Sequence, residues 1–182
     1  MKVELRNIQT IRLAVADPAR RRHGDDNFRF FCETYFADIF YLPWSEDQLR
    51  TIGKIEWAVR VGGLVALAMR RGSGKTSLCS AAALWAILTG RHKFVYLICA
   101  TADRARAMLE LIKTEFDCNT ALLGGFPQSM MEWHKEKAIL PTVPGILLGA
   151  LHARAEGKSI HPTLVICDGS QPAPDGGAKE VC

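Results

Sequence analysis

The chain has 182 residues, a formal net charge of +4 at pH 7, and 48% hydrophobic against 23% charged residues. That length suits one domain with a sizeable core, and the charge permits contact with a polyanion without demanding it. The longest apolar stretches are strand-length, so no transmembrane helix is expected, and the first residues lack the unbroken apolar core of a signal peptide.

Residues 1–24 are mixed in character, with Asp17-Pro18 marking a turn or a helix start. The cluster Arg20-Arg-Arg-His23 reads as solvated surface rather than as a phosphate contact. Phe28, Phe31, Tyr35, Phe36 and Ile39 recur at three- and four-residue steps, which predicts one helix with an aromatic core face. Leu42-Pro43 breaks it. Ser45 then reads as an N-cap, with Glu46 and Asp47 in the first turn and Ile52, Ile55 and Val59 on the inner side of a second helix. Gly62-Gly63 ends that helix.

Residues 62–69 form a strand-like apolar run that breaks into Arg70-Arg-Gly-Ser-Gly-Lys-Thr76 and then into a helical pattern. Leu78, Ala82, Trp85 and Leu88 lie on that helix's inner side, and it stops at Gly90. Residues 93–100 read as a buried strand. Thr101 caps a further helix whose apolar face is Ala105, Met108, Leu109, Ile112 and Phe116. Alternating strands and helices with apolar strands predict a parallel sheet covered on both faces. Beyond Asp117, a short hairpin is expected within residues 130–140, a strand over 145–151 and another over 163–168. The tail, 169–182, is rich in Gly, Pro, Ala and Asp and is expected to fray. Cys79, Cys99 and Cys167 sit in apolar segments as small core residues of a reduced protein, and no zinc-type spacing is present.

Strand, glycine-rich turn, Lys-Thr and helix together make a phosphate cradle. Gly72 and Gly74 let backbone N–H groups converge on an anion, and the helix adds its unpaired N–H groups and the positive end of its dipole. Lys75 is placed to reach terminal phosphates and the Thr76 hydroxyl to ligate Mg²⁺. The nucleotide contacts expected from this loop are Arg70, Arg71, Gly72, Ser73, Gly74, Lys75, Thr76 and Ser77. The strict motif fails at one position, where Met69 replaces the first glycine. Asp168, at the end of an apolar strand downstream, is the second candidate Mg²⁺ holder. The next position holds Gly169 rather than a second acid, followed by Ser170 and Gln171, and Asp175 lies further along the tail. Nucleotide binding is therefore better supported than hydrolysis.

These stretches resemble the large terminase subunits of tailed bacteriophages, the motors that package DNA into capsids. The resemblance rests on Leu42-Pro-Trp-Ser-Glu-Asp-Gln48, Ala66-Leu-Ala-Met-Arg-Arg-Gly-Ser-Gly-Lys-Thr76, Phe94-Val-Tyr-Leu-Ile-Cys-Ala-Thr101, Ile139-Leu-Pro-Thr-Val-Pro-Gly145 and Pro162-Thr-Leu-Val-Ile-Cys-Asp168, in the family's order. It accounts for Met69, since that family's loop commonly lacks the first glycine. It also implies that Arg71 sits near the γ-phosphate, although an arginine merely solvated at the loop fits the sequence equally well. By the same resemblance Gln48 reads adenine, while Trp44 fits the core better than a base, and the Thr101 region couples nucleotide state to DNA. The family continues beyond the strand aspartate with more ATPase core and a nuclease domain. Neither has a counterpart here.

The resulting expectation is an α/β fold of P-loop NTPase type, a mostly parallel sheet flanked by helices and truncated after the strand ending at Asp168. Residues 1–61 form a helical segment with the adenine-side motif, 62–168 an incomplete ATPase core, and 169–182 a tail. The function implied is the ATP-binding and ATPase portion of a packaging motor that couples ATP hydrolysis to movement of duplex DNA. Its cofactors are ATP and Mg²⁺, with Lys75 and Arg71 as charge-stabilising residues. Its partners are sequence-independent duplex DNA, a small terminase subunit, a capsid portal and further copies in a ring, all in the host bacterial cytoplasm. The alternatives are a catalytically inactive nucleotide-binding fragment and another P-loop enzyme such as a helicase-like domain.

Overall fold

Side-chain caps set where most of the helices begin. In a computed structural model that describes residues 15–67, 69–92, 94–99, 101–126, 132–134, 137–140, 146–150 and 163–168, Asp17 Oδ1 accepts from the N–H groups of Ala19 and Arg20 at 3.1 and 2.9 Å and starts α1, Pro18–Asp26. Asn27 adopts an extended conformation, closes α1 and caps α2, Phe28–Tyr35, through a 2.8 Å bond from Phe30 N–H. Ser45 and Gln48 form a reciprocal capping box at the start of α3, Glu46–Val61. The remaining elements are α4 (Lys75–Leu88), β1 (Phe94–Cys99), α5 (Ala102–Cys118), α6 (Thr120–Gly125), β2 (Glu132–His134), β3 (Lys137–Leu140), β4 (Ile146–Ala150) and β5 (Leu164–Asp168). The expectations for the tail and for the first residues lie outside the described residues.

The aromatic stripe ends sooner than its periodicity suggests. Phe36 leaves helical geometry at φ −130° and ψ 38°, and its ring then packs 5.6 Å from that of Phe31. Ile39, expected on the same helix face, sits on the following turn and is 43% exposed. Phe28, Phe31, Tyr35 and Phe36 instead meet Trp85 and Phe126 in one buried cluster. Trp85 is fully buried and its indole N–H donates to the Gly24 carbonyl at 2.8 Å, which satisfies its one polar group. α4 is buried on nearly every side from Leu78 to Leu88, as a helix enclosed by neighbours must be.

The described strands form one mixed sheet in the order β2-β3-β4-β1-β5. β1 runs parallel to both β4 and β5, whereas β2 pairs with β3 and β3 with β4 in antiparallel fashion. The hairpin expected within residues 130–140 is β2–β3. Val95 and Leu97 enter the core beside α4 and α5, and Leu164 and Ile166 pack against it.

Three expectations need correction. The run at 62–69 forms no ladder among the described residues. Gly62 and Gly63 take positive φ, 86° and 109°, where the chain leaves α3, and the segment that follows lines a gap beside β5 instead of pairing with it. β5 is consequently an edge strand rather than a buried one, with Val165 45% exposed. The sheet is therefore not covered on both faces at β5, since Val165 and Cys167, one step out of phase with the inward Leu164 and Ile166, are both exposed.

Two glycines separate packing from propensity. A Cβ at Gly125 lies 2.6–3.0 Å from ring atoms of the buried Tyr35, so Gly125→Ala is expected to cost about 1–3 kcal/mol. A Cβ at Gly53, within α3, meets nothing within 4 Å, so Gly53→Ala should stabilise by about 0.5–1 kcal/mol. Urea unfolding of the two variants checks both signs.

Candidate nucleotide site

α4 differs from every other described helix in the way it starts. Side-chain oxygens cap α1, α2, α3, α5 and α6. α4 has no side-chain cap, and its N-cap residue is Gly74 in the left-handed region at φ 79° and ψ 17°. The first main-chain bond of the helix is Leu78 N–H to Gly74 C=O at 2.9 Å. Its opening turn is thus an arrangement that accepts an anion where another helix would have a serine or aspartate oxygen. Gly72, at φ 78°, makes the second left-handed step, and a Cβ at either glycine meets nothing within 4 Å. The space above the loop is open.

The rest of the loop is tied down from below. Ser73 donates through its N–H at 3.3 Å and its hydroxyl at 2.6 Å to the Arg70 carbonyl, closing a tight turn. Gln48 Nε2 donates to the Ser73 carbonyl at 3.1 Å, while Gln48 Oε1 accepts from the Ser45 N–H and hydroxyl at 2.9 and 3.1 Å. One amide therefore both closes the α3 cap and pins the loop. Its acceptor oxygen is fully used and one amide hydrogen remains.

Topology brings the other expected residues to the same end of the sheet. The short connection from α4 to β1, with α4 packed on β1, β4 and β5, puts the N-terminal end of α4 toward the C-terminal ends of β1 and β5. Cys99 and Asp168 are register partners there, and Thr101 follows two residues on, capping α5 through a 3.3 Å bond from Arg104 N–H. Ligands of open α/β sheets bind outside this edge. Arg70 and Arg71 are exposed, and Gly74, Lys75, Thr76 and Ser77 are half-buried. Gln171 and Asp175 lie outside the described residues.

No family model matches this sequence, and no curated protein or solved structure matches it significantly.

Trp44 is taken up in packing. Its ring lies 5.0 Å from that of Phe40, and its indole N–H donates to Glu33 Oε1 at 2.7 Å. In the Arg20–His23 cluster, Arg21 is structural: it donates to the Gly125 carbonyl at 2.9 Å, pairs with Asp25 at 3.2 Å and stacks 3.9 Å over Phe126. One signal was available in the sequence and missed by motif reading. Between Glu56 and Asp103 the chain has no acidic residue, while Arg60, Arg70, Arg71, Lys75, Arg91 and Lys93 fall inside that interval. In the fold Arg60 pairs with Glu56 and Arg91 with Asp26, each at 3.4 Å, so the excess charge of this interval lies with Arg70, Arg71 and Lys75 at the loop. No helix among the described residues is long and apolar enough to cross a membrane.

Removing the shared amide tests the link between cap and loop. Gln48→Ala should lower stability by about 1 kcal/mol. It should also speed amide exchange of residues 72–74 relative to the rest of the chain, read by hydrogen exchange with mass spectrometry.

Proposed function

We propose that the chain binds Mg²⁺-ATP at the loop before α4 and serves as the ATP-binding and ATPase portion of a phage DNA-packaging motor. The observation that carries the nucleotide part is the uncapped α4 start at a left-handed Gly74, preceded by Arg70 and Arg71 and followed by Lys75. In this reading the backbone of residues 72–77 cradles the phosphates, and Lys75 pairs with their charge. Arg71, exposed at the rim, stabilises charge that develops on the γ-phosphoryl oxygens. Thr76 and Asp168 hold Mg²⁺, which when bound neutralises phosphate charge. Gln48 keeps the loop in its anion-accepting shape and offers its remaining amide hydrogen to the adenine edge. The motor assignment, with duplex DNA contacted through its phosphates, rests on the terminase resemblance of the five sequence stretches.

A second reading, a nucleotide-binding chain without turnover, is favoured by one specific feature. Gly169 follows Asp168 where such an ATPase carries a second carboxylate to orient water.

Calorimetry with Mg²⁺-ATP and phosphate release with and without long duplex DNA separate these readings. Lys75→Ala is expected to weaken ATP binding about tenfold or more. DNA-stimulated hydrolysis in the unaltered chain supports the motor, and binding without turnover supports the second reading. Absence of ATP binding overturns both.

A further inference from the structure

Residues 63–67 run along the outer edge of β5 without pairing to it, and the gap between them is a cavity of about 410 Å³. α3 closes it with Ile55 and Val59, α4 with Ala82, the extended segment with Leu67, and β5 with Ile166. Its side chains are apolar apart from the thiols of Cys79 and Cys167 and one charged group, Lys75, and main-chain polar groups of the 63–67 segment and the β5 edge complete the walls. No described carboxylate pairs with that lysine.

We propose that this cavity is a binding site for a small amphiphilic anion, an apolar body with one carboxylate or sulfonate head. Its volume falls within the roughly 300–1,000 Å³ of small-molecule sites, which are mostly apolar with a few polar groups that fix orientation. An apolar body gains by leaving water among Ile55, Val59, Leu67 and Ile166. A neutral ligand would dehydrate the Lys75 ammonium and give it no partner, whereas an anionic head supplies one. The start of α4, uncapped and adjacent, favours the same charge. Cationic amphiphiles are excluded on both counts. The site lies behind the phosphate loop and goes beyond the nucleotide reading, but the two share Lys75. An anion in the cavity therefore draws that lysine away from a phosphate in the loop, and the two ligands compete.

The probe is anilinonaphthalene sulfonate, titrated into the full chain without nucleotide and followed by fluorescence, with decanoate as competitor. The expected result is saturable one-to-one binding that decanoate displaces. Lys75→Ala, and separately Ala82→Phe or Ala58→Trp to fill the space, should each raise the dissociation constant about tenfold. Ala58 is half-buried and Ala82 buried, so Ala58→Trp keeps the test valid if Ala82→Phe unfolds, as circular dichroism would show. Non-saturable binding, or binding unchanged by Lys75→Ala and by a folded filling variant, overturns the proposal. Protection in the free chain of those 164–167 amides that face away from β1 would also overturn it, since β1 already covers the others and the 63–67 segment would then be closing the gap as a sixth strand. Mg²⁺-ATP should displace decanoate competitively, and simultaneous binding of both removes the shared lysine. If ATP fails to bind while the probe still does, the nucleotide reading falls and the cavity site stands.

Discussion

The burial of α4 constrains everything around it. A helix apolar on nearly all sides must be enclosed, so α2, α3 and the sheet are packed around it, and Trp85 in its last turn is held by the Gly24 carbonyl of α1. Only its ends reach the surface. The N-terminal end emerges at the C-terminal edge of the sheet with no side chain to cap it, and there the backbone turns through two left-handed glycines. An L residue in that region costs about 1–2 kcal/mol per position, so the loop shape belongs to Gly72 and Gly74. A strongly buried helix with an open, cationic start is a firm platform for an anion.

Gln48 shows how the support for that platform is shared. The residue that completes the α3 cap also holds the Ser73 carbonyl, so the geometry of the loop depends on where α3 begins. If adenine is to be read by the same amide, the base must use the one free hydrogen or displace Ser45 from the oxygen. Nucleotide recognition and α3 capping then draw on one side chain, and loosening of the cap becomes a consequence of binding.

Much of this was legible in the sequence, and the failures share a cause. Ser45, Thr101 and Asp17 announce helix starts through local chemistry, and each is a cap in the structure. The strands at 94–99 and 164–168 follow from apolar runs. What local pattern could not give is which neighbour each element finds. Residues 62–69 have a strand's composition, yet they start at two positive-φ glycines and join no ladder among the described residues. Ile39 continues the aromatic spacing, yet Phe36 leaves the helix to bury its ring. α6, Thr120–Gly125, gave no periodic signal because it is six residues long, and its Gly125 is fixed instead by contact with Tyr35. At the site, the glycines, Lys75 and Gln48 were readable as residue types. The double use of Gln48 was not, because it depends on a contact between residues 25 apart in sequence.

The free edge of β5 and the open space behind the loop are two aspects of one arrangement. An edge strand leaves its outward N–H and C=O groups to water, to a ligand or to another strand. The nearest chain is the extended segment at 63–67, which lines the same 410 Å³ cavity. Leu64 on that segment is fully solvent-exposed and Val61, at the end of α3, is 69% exposed, so apolar surface beside this gap stands open to solvent. Lys75, which follows Gly74, also lines this gap, so the gap and the phosphate loop share one cationic side chain. Any ligand that fixes one will bias the other.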